Sequence, residues 1–125
     1  MGLYEDFRLD GKVAVVTGGG RGIGRGIALG MAECGADVVV IARRQDAVYV
    51  VAKEIGSRGQ KGLRILADMM IWDAIPAALE RVVYEFGGFD IMVNNACCNL
   101  TRLIHTLHDI TIETLHAKLH LNMKP

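Results

Sequence analysis

Four short apolar runs recur along the chain without the polar alternation of a half-exposed strand. They are VAVV (13–16), VVVI (38–41), LRILA (63–67) and IMV (91–93). Continuous apolar runs of this length are expected where a parallel sheet is covered on both faces. The pattern therefore predicts four buried, parallel strands.

Longer segments with helical spacing separate these runs. Apolar positions three or four residues apart mark one face of each predicted helix: Ile23, Ile27 and Met31 in the first, Val48, Val51, Ala52 and Ile55 in the second, and Ile75, Leu79, Val82 and Phe86 in the third. Gly35 and the pair Gly87-Gly88 are expected to end the first and third helices, and Pro76 falls in a first turn. This βαβαβαβ alternation predicts right-handed crossovers and helices on both faces of the sheet.

The pattern weakens after the fourth strand. Residues 97–110 are predicted to form a loop. Thr111 is a candidate N-cap for a helix over residues 112–123. One stripe of that helix carries the apolar residues Ile112, Leu115, Leu119 and Met123.

Length, charge and cysteine content narrow the class of protein. The 125 residues predict one domain, and 14 basic against 14 acidic residues leave no electrostatic footprint for nucleic acid. No apolar run approaches the roughly 18 residues of a membrane span, and the polar N-terminus is unlike a signal peptide. Cys34, Cys97 and Cys98 lack CxxC spacing and suggest reduced thiols. A soluble cytoplasmic protein is expected.

The segment TGGGRGIG, residues 17–24, is the strongest candidate for a binding site and is called the glycine corner below. A strand, a glycine turn and a helix place free N–H groups and a helix dipole where a phosphate can dock. A glycine-rich turn without a ligand is the alternative. The corner is not a Walker A loop, because Arg25-Gly26 stands where that loop needs Lys and Ser or Thr.

Its spacing, Thr17-Gly18-x-x-x-Gly22-x-Gly24, resembles the short-chain dehydrogenase/reductase family, and three further stretches match in register. Asp68 closes the third strand, where the family has an Asp at the adenine. Asn94-Asn95-Ala96 resembles the start of the family's NNAG motif. Asn122 occupies the position of the Asn in the family's Asn-Ser-Tyr-Lys tetrad.

The resemblance implies the first half of a doubly wound parallel sheet of the Rossmann type, with strand order 3-2-1-4. Residues 1–125 would be an NADP-binding half-domain, truncated before the fifth strand. Asn122 is the implied catalytic residue. The implied cofactor-binding residues are Thr17, Gly18, Gly20, Arg21, Gly22, Ile23, Gly24, Arg43, Arg44, Asp68, Asn94 and Ala96.

Charge at the end of the second strand points to the identity of the cofactor. NAD-binding sites place a carboxylate there, about 20 residues beyond the glycines. This chain has Arg43 and Arg44 instead, and Asp46 is expected to cap the next helix. Guanidinium groups favour a 2′-phosphate, and Arg21 adds a cation where NADP-preferring family members carry one. NADP(H) is therefore expected, with solvated surface arginines as the alternative.

The family's Ser and Tyr-x-x-x-Lys, which orient the substrate and exchange its proton, have no counterpart in register here. Tyr49 and Lys53 satisfy Tyr-x-x-x-Lys but fall on the predicted second helix, as surface neighbours. His116 and His120, with Glu113, have zinc-ligand spacing, but a solvent-facing or interface stripe is favoured and no metal is expected. Cys97 stands at the position of the glycine in NNAG. This cysteine is either a divergence from the motif or a reactive thiol.

Three hypotheses remain. The first is an NADP(H)-dependent oxidoreductase that interconverts alcohol and carbonyl groups of a small molecule and forms a homo-oligomer in some cases, as family members do. The second is a binding module that holds NADP(H) without catalysis. The third is an incomplete product whose unpaired fourth strand pairs with a partner or aggregates. Residues beyond Pro125 would separate the first from the others.

Overall fold

The computed structural model describes residues 2–97 and 111–123, and it gives no side-chain placement for residues 3, 4, 114, 118, 121 and 122. The strands are β1 (Val13–Thr17), β2 (Asp37–Ala42), β3 (Gly62–Leu66) and β4 (Ile91–Val93). The helices are α1 (Leu3–Asp6), α2 (Gly22–Glu33), α3 (Gln45–Ser57), α4 (Ala74–Phe86) and α5 (Ile112–Met123). The existence of each predicted strand and helix is confirmed, and the short α1 is additional. The prediction that all four strands are buried is wrong for β3 and β4, which lie at the edges of the sheet and carry exposed residues such as Leu66 and Met92. Residues 98–110 of the predicted loop lie outside the described residues.

The four strands form one parallel sheet in the order β3-β2-β1-β4, as predicted. Thr17 pairs with Ile41, and Val16 pairs with Val93. Because all strands run in the same direction, their carboxyl ends meet at one edge of the sheet. This carboxyl edge is where ligands bind in open α/β sheets.

Apolar side chains cover both faces of the sheet. On one face, Ala14 and Val16 of β1 pack with residues of α2 and α3. On the other face, Val15 packs with Ala78 and Val82 of α4. Successive side chains of a strand point to opposite faces, so a strand buried on both sides needs apolar residues throughout. This explains why the runs of β1 and β2, which are buried along most of their length, lack polar alternation.

The predicted buried face of α2 is partly wrong. Ile23 is 79% exposed, while Ile27 and Met31 are only half-buried against the core. The residues that α2 buries are Gly24, Ala28, Leu29 and Ala32. The small residues Gly24, Ala28 and Ala32 let α2 lie close to the sheet, so the helix contacts the strands mainly through small residues. In α3, by contrast, Val48, Val51 and Ile55 are buried as predicted.

The helix ends follow the sequence signals with one exception. Gly35, just beyond α2, has φ +104, and Gly87 ends α4 in the left-handed region, as expected. Pro76 lies in the first turn of α4. Asp46 does not cap α3: the N-cap position is Arg44, and Asp46 lies inside the first turn. A carboxylate there still stabilises the helix through the dipole.

Helix α5 presents its apolar stripe to solvent in the described part of the chain. The α5 stripe consists of Ile112, Leu115, Leu119 and Met123, whose exposures range from 45% to 73%. The backbone of Thr111 accepts from Leu115 N at 3.0 Å, so the first turn starts where predicted. Among the described helices, none combines the length and the apolar character needed to cross a membrane.

Candidate functional site

The glycine corner joins the end of β1 to the start of α2 at the carboxyl edge. Gly18 has φ +66 and its N–H donates to the carbonyl of Ile41 on the neighbouring strand, at 2.7 Å. Gly22, where α2 begins, has φ +57. No side chain caps the start of α2 at Arg21. The first N–H groups of α2 therefore stay available to an anion.

Thr17 and Asn95 hold the glycine corner against the end of β4. The Thr17 hydroxyl accepts from the backbone N–H groups of Asn95 at 3.1 Å and Ala96 at 3.0 Å, and it donates to the carbonyl of Val93 at 3.3 Å. The Asn95 side-chain amide donates to the carbonyls of Thr17 at 3.1 Å and Gly18 at 3.2 Å. The turn is thus fixed by its neighbour strand.

Two glycines of the corner leave no room for a side chain. A Cβ on Gly24 would overlap the carbonyl oxygen of Gly18 and the amide nitrogen of Asn95. A Cβ on Gly18 would lie 2.9 Å from Ala96 Cα, and positive φ adds strain for any L side chain. These glycines are therefore required by the packing of the corner itself, before any ligand binds.

Arginine side chains flank the corner on two segments. Arg44 pairs with Asp46, with Nη2 2.9 Å from Oδ2, and this hydrogen bond holds the pKa of Asp46 below its ordinary value. Arg21 and Arg43 are exposed and make no ion pair with any described residue. Their charges are therefore free to attract an anion, whereas the charge of Arg44 is partly compensated.

The remaining predicted cofactor residues surround the same edge. Asp68 follows β3 and is half-buried, and its Oδ1 accepts from Met70 N at 2.9 Å. Asn94 is exposed and Ala96 half-buried, directly after β4. Gly20 faces Ala47, where a Cβ would lie 3.0 Å from the Ala47 Cβ. Ile23, which belongs to the corner and to the first turn of α2, has an exposed side chain.

The predicted catalytic residue lies on α5. Asn122 is the penultimate residue of that helix, but its side chain is outside the described structure. His120, two residues earlier, stacks on Trp72 with ring centroids 4.9 Å apart. The described residues contain no cluster of three His, Cys, Asp or Glu side chains that could hold a metal ion.

The other two candidates from the sequence lie on the surface. Tyr49 is 51% exposed on α3, and the Arg64 guanidinium lies 4.8 Å from its ring centroid. Lys53 is exposed one turn later, so both belong to the outer face of α3, as predicted. Cys97 is exposed and free, immediately after the residues that hold the corner. Cys98 lies outside the described residues.

Asn95 is the site residue that sequence reasoning missed. The match to the family's NNAG motif includes Asn95, but the sequence predicts a cofactor contact only for its exposed neighbour Asn94. The signal for Asn95 in the sequence is an amide side chain shortly after the fourth apolar run, whose strand lies beside the strand that leads into the glycine corner. Such a group can satisfy backbone carbonyls that the sharp turn leaves without partners.

Comparison with known proteins gives consistent matches. The family model described as "short chain dehydrogenase" matches residues 12–125. The chain is similar to 2-dehydro-3-deoxy-D-gluconate 5-dehydrogenase of Escherichia coli, with 46% identity over 94 residues, which cover 75% of this chain and 36% of that protein. The chain thus spans only about a third of the length of this relative.

Solved structures share the fold. A short-chain type dehydrogenase/reductase from Mycobacterium marinum has a TM-score of 0.88 and 37% identity, over 98% of this chain and 49% of that one. A short chain dehydrogenase from Burkholderia cenocepacia, in complex with NADP, has a TM-score of 0.84 and 38% identity, over 93% of this chain and 46% of that one. Other similar structures hold NADP or NADPH, and one at 24% identity holds NAD. The chain belongs to the short-chain dehydrogenase/reductase family.

Proposed function

We propose that residues 1–125 form the NADP(H)-binding half-domain of an oxidoreductase that interconverts alcohol and carbonyl groups of a small molecule. The observation that carries this proposal is the charge around the glycine corner. Arg21 and Arg43 stand exposed and without ion pairs in the described structure, beside a corner suited to a pyrophosphate.

The proposed cofactor would bind at the corner in one orientation. Backbone N–H groups at the start of α2 would receive the pyrophosphate, and Thr17, Gly18, Gly20, Gly22, Ile23 and Gly24 form the surface beneath it. Arg43 and Arg21, with a smaller contribution from Arg44, would receive the 2′-phosphate because guanidinium groups form charge-assisted bonds to phosphate. Asp68 would meet the adenine, and Asn94 and Ala96 would border the nicotinamide ribose. The bound cofactor supplies a hydride donor or acceptor.

Residues 1–125 supply binding rather than proton transfer. Asn122 is the proposed catalytic residue of this half. Its role would be to position a water molecule or to stabilise the local helix. Tyr49 lies on the outer face of α3, where its ring faces Arg64. A proton donor next to a substrate carbonyl would therefore come from the Ser and Tyr-x-x-x-Lys that the family places after a fifth strand.

A chimera tests the proposal. The second half of the Escherichia coli relative would be joined after Pro125, and NADPH oxidation measured with ketones and aldehydes that include the carbonyl product of that relative. We expect turnover in the chimera, none when the Tyr of the appended Tyr-x-x-x-Lys is changed to Phe, and none from residues 1–125. A folded chimera that binds NADPH without turnover contradicts the proposal. Turnover by residues 1–125 that is lost in Tyr49→Phe contradicts the assignment of Tyr49.

A further inference from the structure

A ring stack and a hydrogen bond join α5 to the segment that follows β3. The rings of Trp72 and His120 lie 15° from parallel. His120 Nε2 lies 3.2 Å from the carbonyl oxygen of Met70. Because a carbonyl oxygen only accepts, this hydrogen bond requires a proton on Nε2. One imidazole thus makes both an aromatic and a polar contact to residues 70–72.

The same segment leads directly to Asp68. Met70 N donates to the Asp68 carboxylate at 2.9 Å, and Ile71 N donates to the Asp68 carbonyl at 3.0 Å. Met70 therefore lies between two groups, with its N–H on the Asp68 carboxylate and its carbonyl on His120. A shift of the Asp68 side chain would therefore displace Met70, whose carbonyl oxygen binds His120.

The exposure of the α5 stripe makes this link important. Its side chains are 45–73% exposed, so this face of α5 is only partly buried. Burial of apolar surface is the main force that fixes a helix in place. Because the α5 stripe is only partly buried, specific contacts such as the Trp72–His120 stack contribute to the position of α5 and of Asn122, which follows His120 by two residues.

We propose that Trp72 and His120 are positioning residues that couple occupation of the Asp68 side of the cofactor site to the position of α5. This inference rests on the proposed function, since the ligand at Asp68 is the adenosine part of NADP(H). Coupling between two sites is reciprocal. If the bound cofactor favours the position of α5 in which His120 contacts Trp72, that position strengthens cofactor binding by the same factor.

Hydrogen exchange of the α5 backbone tests the coupling. Amide exchange over residues 112–123 would be followed by mass spectrometry with and without NADPH, while calorimetry measures NADPH binding separately. We expect NADPH to slow exchange in α5 by about fivefold or more in the parent chain. In His120→Ala that slowing is lost, and NADPH affinity falls by a similar factor.

Two variants separate the contributions of the imidazole. His120→Phe keeps the ring stack and loses the hydrogen bond, so we expect a partial response to NADPH. His116→Ala, an exposed histidine one turn earlier on the same helix, is the matched control and should behave as the parent. An equal loss of the response in His116→Ala contradicts a specific role for His120.

The remaining outcomes distinguish this inference from the proposed function. NADPH binding without any change in α5 exchange, or an unchanged response in His120→Ala, contradicts the coupling and leaves the proposed function intact. No NADPH binding to the folded parent contradicts both.

Discussion

Asn95 donates two hydrogen bonds to Thr17 across the end of the sheet. The Asn95 backbone N–H donates to the Thr17 hydroxyl at 3.1 Å, and the Asn95 side-chain amide donates to the Thr17 carbonyl, also at 3.1 Å. Thr17 ends β1 and Val93 ends β4, and these two residues are 76 positions apart in the chain. The glycine corner is thereby held in shape by residues distant in sequence.

Removing the Asn95 amide should destabilise the fold. Asn95→Ala loses the bonds to the carbonyls of Thr17 and Gly18, and we expect a cost of about 1–3 kcal/mol in the free energy of unfolding. Asn94→Ala, at the exposed neighbour, should change it by no more than about 0.5 kcal/mol. Urea unfolding measures both. Equal losses of unfolding free energy in the two variants would show that the hydrogen bonds of the Asn95 side chain do not support the fold.

Two glycines of α2 should respond to alanine with opposite signs. Gly24→Ala places a Cβ against the Gly18 carbonyl and Asn95, so we expect a loss of about 1–3 kcal/mol in stability and weaker NADPH binding. Gly26→Ala meets open space, and alanine should stabilise the helix by about 0.5–1 kcal/mol. Thermal unfolding of both variants is the measurement. A stabilising Gly24→Ala is incompatible with the close approach described here.

The sequence predicted the sheet well because a doubly covered strand leaves a local signal. VVVI stands at the centre of a sheet with both faces buried, and no other arrangement suits such a run as well. Ile23 shows where this reasoning fails. A large apolar residue at helical spacing normally marks the core, but α2 packs through Gly24 and Ala28 because the corner forces the helix close to the sheet.

Asp46 and Asn95 show a second limit of sequence reasoning. Asp46 had the residue type of an N-cap, but α3 begins one residue before it and its carboxylate pairs with Arg44. Asn95 acts on residues more than seventy positions away, through bonds that depend on β4 lying beside β1. Neither outcome follows from local propensity. Both require the three-dimensional neighbours to be known.

An interhelical ion pair should give a pH-dependent contribution to stability. Arg25 Nη2 lies 2.6 Å from Glu54 Oε2, and this bond holds the pKa of Glu54 below its ordinary value of 4.5. The stabilisation is therefore complete above that ordinary value and is lost as pH falls through the lowered native value. Glu54→Gln should be less stable than the parent near neutral pH, and the two should converge in acid.

The effect of this pair should also be small and sensitive to salt, because both side chains are partly exposed. Urea unfolding of the parent and Glu54→Gln across a pH series measures it. Glu85→Gln, an exposed carboxylate on α4, is the control for removal of a negative charge. A Glu54→Gln difference that stays constant into acid would argue against the ion pair as its source.

The most direct test of the account is calorimetric titration of the folded chain with NADPH and with NADH. If Arg43 and Arg21 receive the 2′-phosphate, NADPH should bind about tenfold or more tightly, since such contacts contribute about 1.5–3 kcal/mol. Arg43→Asp should weaken NADPH selectively, and Arg81→Asp, exposed on α4, should leave the preference unchanged. Equal affinities for the two cofactors, unaltered by Arg43→Asp, would contradict the assignment of an NADP(H) site.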